Sequence, residues 1–234
     1  DTFKKVIDNS ENMFINIDNE AANKLKDFTD KNVITYGIKN NAFYQAKNIE
    51  FKELGSSFDV YKDNRLLSHI ELIIPGIHNV YNALAIVSVL DFLNIHNFEK
   101  YFSEFTGMGR RFQLVADINN IKIIDDYAHH PSEIKATLSA IKNLQRRKIA
   151  IFQPHRYTRL KALWSEFLES FNNIDELYVL DTFCAGDKFD EIYNSSAFVD
   201  EIKKHNVKAQ YIQGTVSEAA KKIAEKIHTG DIVL

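Results

Sequence analysis

Within six residues, Asp125-Asp126-Tyr127-Ala128-His129-His130, the chain places two carboxylates and two imidazoles. Carboxylates accept hydrogen bonds from sugar hydroxyls, and imidazoles move protons near neutral pH. Further on, Gln153-Pro154-His155-Arg156-Tyr157-Thr158-Arg159 adds an imidazole and two guanidiniums three residues apart. A guanidinium fork matches a carboxylate or phosphate in two parallel bonds, each charge-assisted bond contributing roughly 1.5–3 kcal/mol. An ordinary salt bridge to a nearby acid explains the same pair equally well. In "GMGRRFQ", Arg110 and Arg111 stand between glycines and Phe112. That is either a hinge arginine reaching a phosphate or a solvated linker. In "PGIHNVYNALA", a turn opens a helix carrying His78, Asn79 and Asn82. A carboxamide can accept from a purine amino group and donate to a ring nitrogen. Asn79 alone could serve as a helix cap, whereas Asn82, one turn on, could not.

These residues need elements to hold them. From "KIIDD" onward, apolar runs ("KIAIF", "ELYVLD", "VKAQYI", "DIVL") alternate with helical stretches over 131–144, 159–171, 195–205 and 216–227. Such alternation predicts a doubly wound, mostly parallel, Rossmann-like sheet with helices on both faces. Ligands bind such sheets beyond the strands' carboxyl ends. "DDYAHH", "QPHRYTR" and "DTFCAG" each follow a strand. If those strands are neighbours, Asp125, Asp126, His129, His130, His155, Arg156 and Arg159 share one rim. Asp125 and Asp126 point to opposite sides of a strand end, so only one readily faces a given ligand. Pro131 and Glu133 suit the first turn of a helix, and His130 is then either a site residue or merely the helix start. "LVADINNIKIIDDY" reads as a hairpin.

Upstream the pattern is α+β. Residues 13–37 read as strand, helix from about Asn19, and strand. Residues 42–76 read as antiparallel strands broken at "ELGSS" and "KDNR". Val80, Leu84, Val87 and Leu90 recur at helical spacing, and a short helix covers 98–105. A boundary near residues 108–111 gives two domains, 1–108 and 109–234.

A formal net charge of −3 argues against nonspecific nucleic-acid binding. No apolar run is long enough to span a bilayer, which argues against a membrane protein. With Cys184 as the single cysteine, no intrachain disulfide forms, which fits a reducing compartment. A cytoplasmic protein is the expectation. The start at Asp1 and the stop at "TGDIVL" suggest a fragment cut at both ends.

Taken together, "PGIHNVYNALA", "GMGRRFQ", "IDDYAHHPSEI" and "FQPHRYTR" resemble, in order, the motifs of the Mur ligases of peptidoglycan synthesis. Within that family they are most similar to the branch that joins L-alanine to UDP-N-acetylmuramate. The resemblance covers nearly the whole chain. It implies the end of a central ATP-binding α/β domain with antiparallel strands, then most of the C-terminal domain. It also implies roles: Asn82 on the adenine, with His78 and Asn79 shaping that wall; Arg111 on the ATP phosphates; Asp126 on the ribose. Tyr127 and His129 would face the cleft, and His155, Arg156 and Arg159 would hold the amino acid carboxylate or its product counterpart. The implied catalytic residues are His129 and Arg111. The implied cofactors are ATP and Mg2+.

One departure matters. These 234 residues contain no glycine-rich G-K-T phosphate loop. The resemblance places that loop, the magnesium ligands and the UDP-binding domain upstream, so no metal ligand is expected here and the piece alone is expected to be inactive. A tripeptide-recycling ligase shares "HHP" but differs at the second site. From other classes, Asp125, Asp126, His129, His130 and His155 could serve a metal-dependent phosphoesterase, and the whole could be a nucleotide-binding module without enzymatic activity.

Overall fold

A computed structural model describes residues 2–234, with side chains from residue 5 onward. By chain contacts it divides into two units, Asp1–Thr106 and Gly107–Leu234.

The first unit runs α1 (Thr2–Asp8), β1 (Asn12–Asn16), α2 (Glu20–Lys24) with a 3-10 turn (Leu25–Phe28), β2 (Asn32–Gly37), β3 (Tyr44–Lys52), β4 (Gly55–Lys62), β5 (Arg65–Leu72), α3 (Ile77–Phe92) and α4 (Glu99–Glu104). Its sheet has the order β1-β2-β3-β4-β5. The first three strands pair in parallel and the last three antiparallel. The antiparallel part matches the sequence expectation. Helix α1 and the two-residue parallel contact of β2 with β3 do not appear in it. Asp63 and Asn64, at φ 46° and 61°, close the β4–β5 hairpin. Two left-handed residues give the turn whose twist suits paired strands, and Asp and Asn tolerate that region. Tyr44, Ala46, Phe58, Val60, Ile70 and Leu72 alternate onto one face and pack against Val80, Ala83, Leu84 and Val87 of α3. A period of two thus meets a period near 3.6.

The second unit runs β6 (Gln113–Ile118), β7 (Ile121–Asp125), α5 (Pro131–Ile141), β8 (Lys148–Phe152), α6 (Tyr157–Ala162), α7 (Trp164–Leu168), β9 (Glu176–Leu180), α8 (Ser195–Lys203), β10 (Ala209–Ile212), α9 (Val216–Ala224) and β11 (Ile232–Val233). The sheet order is β10-β9-β8-β11-β7-β6. Every pair is parallel except the β6–β7 hairpin. This is the mostly parallel α/β sheet that strand–helix alternation predicts. Two details differ. Strand β11 inserts between β7 and β8, so those two are not neighbours, although their carboxyl ends still lie on one edge. The helix expected over 159–171 is two short helices meeting at Leu163, whose φ of −116° leaves helical geometry. From β8 the chain winds outward to β9 and β10 and then returns to β11 on the other side of β8. The winding therefore reverses between β8 and β11, where such sheets open a crevice. Among the described residues, no helix is long and apolar enough to cross a membrane.

The opposite edge of this sheet is tied by charge. Glu176, 8% exposed, accepts from Arg147, Lys208 and the Tyr178 hydroxyl. Burial alone would raise its carboxyl, but Lys208, Tyr178 and Arg147 outweigh that and lower it from 4.5 to about 2. A depressed carboxyl stabilises the fold fully above its unfolded value and loses that contribution as pH falls toward its folded value. Stability should therefore drop by on the order of 2 kcal/mol from this group between about pH 4.5 and pH 2. Urea titrations at stepped pH check this: Glu176→Gln should be less stable near neutrality and show a flatter acid limb.

Candidate functional site

The corner after β7 is built around two carboxylates. Asp126 accepts from Phe112 N (2.9 Å) and the Thr137 hydroxyl (3.1 Å) through one oxygen, and from Ala128 N (2.7 Å) through the other. It thereby fastens the Arg110–Phe112 segment, the corner and α5 together. Glu133 accepts from His129 N and His130 N, and its other oxygen lies 3.4 Å from an Arg111 nitrogen. Burial alone would raise the Glu133 carboxyl, but those two backbone N–H groups outweigh it and hold the acid below its usual range. The His130 side chain accepts from Ser132 N, so His130 and Glu133 form a capping box for α5 with Pro131 in its first turn. Of the two readings of His130, the helix start is the one its bonds describe.

Tyr127 lies exposed over this corner. Its N–H donates to the Arg110 carbonyl (2.7 Å), and the Arg110 and Arg111 guanidiniums lie 5.3 and 5.8 Å from its ring centre. Arg110 also pairs with Asp125 at 3.4 Å. The His129 ring meets Tyr127 edge-on at 5.2 Å, and its Nδ1 is 2.9 Å from the Tyr127 carbonyl. A carbonyl only accepts, so Nδ1 is the donor here, and the Glu133 carboxylate lies 3.4 Å from the same nitrogen. Arg111, Asp126, Tyr127 and His129 thus come together as one cluster. Beneath it, between β7, β8 and α5, lies a cavity of about 120 Å³ bordered by Asp126, Ala128, Thr137, Phe152 and Leu234.

A second cluster follows β8. Phe183 N donates to the Pro154 carbonyl and Arg156 N to the Phe183 carbonyl, both at 2.8 Å, joining the loops after β8 and β9. His155 lies beside Phe183, ring centres 5.4 Å apart, and its buried Nδ1 has no hydrogen-bond partner. Arg156 sits at φ 71°, a region unfavourable to a residue with a Cβ, and pairs with Asp187 at 3.0 Å. Arg159 is half-buried, and among the described residues its guanidinium makes no hydrogen bond or ion pair. The two arginines singled out by sequence therefore differ: one is bound internally and the other is not. Asp187 itself escaped the sequence reading, which stopped at "DTFCAG", one residue short of it.

In the first unit, Gly76 opens α3 at φ 104°, and a Cβ there would come within 2.6 Å of the His78 ring. Asn79 donates its carboxamide to the Pro75 carbonyl (2.7 Å) and so fastens the turn rather than capping the helix. Asn82 is exposed, and its carboxamide makes no hydrogen bond among the described residues. Behind it, Tyr81 donates to Asp18 at 2.8 Å. Asp18 also accepts from the N–H groups of Ile38, Lys39 and Asn40. Burial would raise the Asp18 carboxyl, but these donors outweigh it and lower it to about 2. Gly76→Ala should destabilise this unit by about 2 kcal/mol through strain at that φ, which a thermal melt would register as a lower transition.

The carboxylates and imidazoles do not converge on an ion: among the described residues, no group of three or more His, Cys, Asp or Glu is placed to hold a metal. The described residues thus offer no ligand set for magnesium.

Two units of this topology, the second with its polar rim at the carboxyl ends, define a class. The profile of the Mur ligase glutamate ligase domain matches residues 110–234, and that of the Mur ligase middle domain matches residues 2–90. The chain belongs to the Mur ligase family. Within it, the chain is 42% identical over 209 residues to a UDP-N-acetylmuramate–L-alanine ligase of Caldanaerobacter subterraneus, covering 88% of this chain and 45% of that protein. It is 39% identical to the enzyme of the same name from Clostridium perfringens, covering 100% of this chain and 52% of the relative. The chain thus spans about half the length of the curated relatives it matches. Among solved structures, the UDP-N-acetylmuramate–alanine ligase of Thermotoga maritima superposes with a TM-score of 0.77 at 24% identity, over 99% of this chain and 49% of that one. A murein peptide ligase of Psychrobacter arcticus gives 0.56 at 22% identity, over 95% and 47%. These two likenesses establish the fold.

Proposed function

We propose that this chain carries part of the active site of a cytoplasmic, ATP-dependent ligase that joins L-alanine to UDP-N-acetylmuramate. What carries the reading is about 40% identity, across most or all of the chain, to enzymes bearing that name. The reaction has two steps. The lactyl carboxylate attacks the γ-phosphorus of ATP, giving an acyl phosphate and ADP. The alanine amine then attacks the acyl carbon, loses a proton and expels phosphate from a tetrahedral intermediate.

Asn82 reads the adenine edge with its unengaged carboxamide, on a wall shaped by His78 and Asn79. Arg111, held loosely by Glu133 at 3.4 Å and by the Tyr127 ring, offsets charge on the transferring phosphoryl group. Asp126 already accepts three internal bonds, which leaves about one lone pair for a ribose hydroxyl. The guanidinium of Arg159 receives the alanine carboxylate, with His155 at the base of the same loop. His129, whose Nδ1 is engaged with the Tyr127 carbonyl, would take the proton released by the amine through Nε2 in its neutral form. Holding the reactants in line supplies much of the remaining acceleration. These 234 residues contain no G-K-T phosphate loop, so alone they do not turn over.

The test is phosphate release by the full-length ligase with ATP, magnesium, UDP-N-acetylmuramate and L-alanine, each omitted in turn. A requirement for all four supports the reading. Release without L-alanine or the UDP-sugar would overturn it in favour of a hydrolase, and activity only with a tripeptide in place of L-alanine would point to the recycling enzyme.

A further inference from the structure

The loop joining β9 to α8 acts as a strap on α6. Its Asp187 side chain is 9% exposed and gives both oxygens to the helix start. One accepts from Arg156 Nε (3.3 Å) and Nη2 (3.0 Å); the other accepts from Thr158 N (3.0 Å) and the Thr158 hydroxyl (2.8 Å). Arg156 occupies the N-cap position but makes no side-chain cap bond, so Asp187 satisfies the helix terminus from outside. Beyond Asp187, Phe189 meets the Tyr157 ring edge-on at 5.6 Å, and Asp190 pairs with Lys161 at 3.6 Å.

Helical geometry turns these contacts into an orientation. At about 100° per residue, Tyr157, Lys161 and Thr158 lie within one flank of α6, while Arg159 falls on the other side. Leu160, 1% exposed, takes the core-facing position. The strap covers one flank, the core takes a second direction, and half-buried Arg159 is left on the remaining side without a partner among the described residues.

We propose that Asp187 is a positioning residue: by locking Arg156 and the first turn of α6, it fixes the flank from which Arg159 binds the carboxylate of the incoming amino acid. Arg156 is then a strut and not a ligand. The inference rests on the ligase reading above for the identity of the anion. The strut itself rests on the contacts alone.

Two experiments separate those dependencies. In the full-length ligase, Asp187→Ala and Arg156→Ala should each raise the KM for L-alanine about tenfold while changing kcat less than threefold. Combining them should do no worse than the stronger single change, because the two residues form one unit. Asp187→Glu should recover part of the loss, and Asp187→Asn serves if the alanine variant fails to fold. Loss of turnover in Arg156→Ala beside wild-type behaviour in Asp187→Ala would overturn the proposal, since Arg156 would then touch substrate directly. If the wild-type ligase shows no alanine-dependent turnover, the ligase reading fails, and the strut is still tested by NMR of the arginine Nε–H groups in the 234-residue chain with inorganic phosphate added. The Arg159 signal should shift and the Arg156 signal should not, until Asp187 is replaced. An Arg156 signal that titrates with phosphate while Asp187 is intact overturns the strut.

Discussion

On the ligase reading proposed above, Arg159→Ala in the full-length protein should lower kcat/KM for L-alanine by on the order of 10²–10³-fold and leave the melting temperature nearly unchanged. The two halves of this result have one origin. Among the described residues the guanidinium has no partner, so truncation strands no buried group and breaks no internal ion pair. Changes of that kind usually stay within about 0.5 kcal/mol of wild type. A carboxylate held by a guanidinium fork gains two charge-assisted bonds of roughly 1.5–3 kcal/mol each, and partial exposure keeps the loss toward the lower end. Arg159→Lys should recover a fraction only, since an ammonium is a point charge without the fork. Arg156→Ala should behave oppositely in stability, because it removes the internal partner of Asp187 at 3.0 Å. Steady-state kinetics with L-alanine varied, beside calorimetric melts, would read both halves. Activity within threefold of wild type in Arg159→Ala would remove that residue from the site.

How much of this was legible in sequence follows from which forces act locally. The strands "KIIDD", "KIAIF" and "ELYVL" and the capping signals around Pro131 and Glu133 are decided within a few residues, and they form as read. The Asn119–Asn120 turn is local too, with both residues left-handed at φ 52° and 62°. Strand order is not local. β11 reaches its place between β7 and β8 only after the chain has laid down β9 and β10, and no periodicity encodes that return. The break at Leu163 is similarly invisible, since 159–171 carries a continuous helical pattern. At the candidate site, residue types are visible in sequence and their engagement is not. Arg156 and Arg159 look equivalent as letters. They differ because a carboxylate far along the chain, Asp187, reaches one and not the other. Asp126 likewise reads as a ligand residue, and the structure shows most of its lone pairs spent on Phe112, Ala128 and Thr137.

That last observation makes Asp126→Ala the substitution with the largest expected effect on stability. Phe112 and Thr137 are 7% and 8% exposed, so the donors released from Asp126 would have little water to turn to. Losing three bonds to a charged acceptor, with donors left unsatisfied, should destabilise the second unit by roughly 3–5 kcal/mol. For a unit of this size that corresponds to a fall of roughly 10–15 °C in its transition. Thr137→Val removes one of the three bonds while keeping the shape and should cost about 1 kcal/mol. Asp126→Asn should fall between, because its amide nitrogen sets a donor against a donor on one side. Scanning calorimetry of the three variants separates a corner held by Asp126 from one held by the main-chain bond of Tyr127 to Arg110. If Asp126→Ala melts within about 2 °C of wild type, the corner does not depend on this carboxylate. Its oxygens would then be available to a ribose, and the loss in Asp126→Ala should appear in the KM for ATP instead.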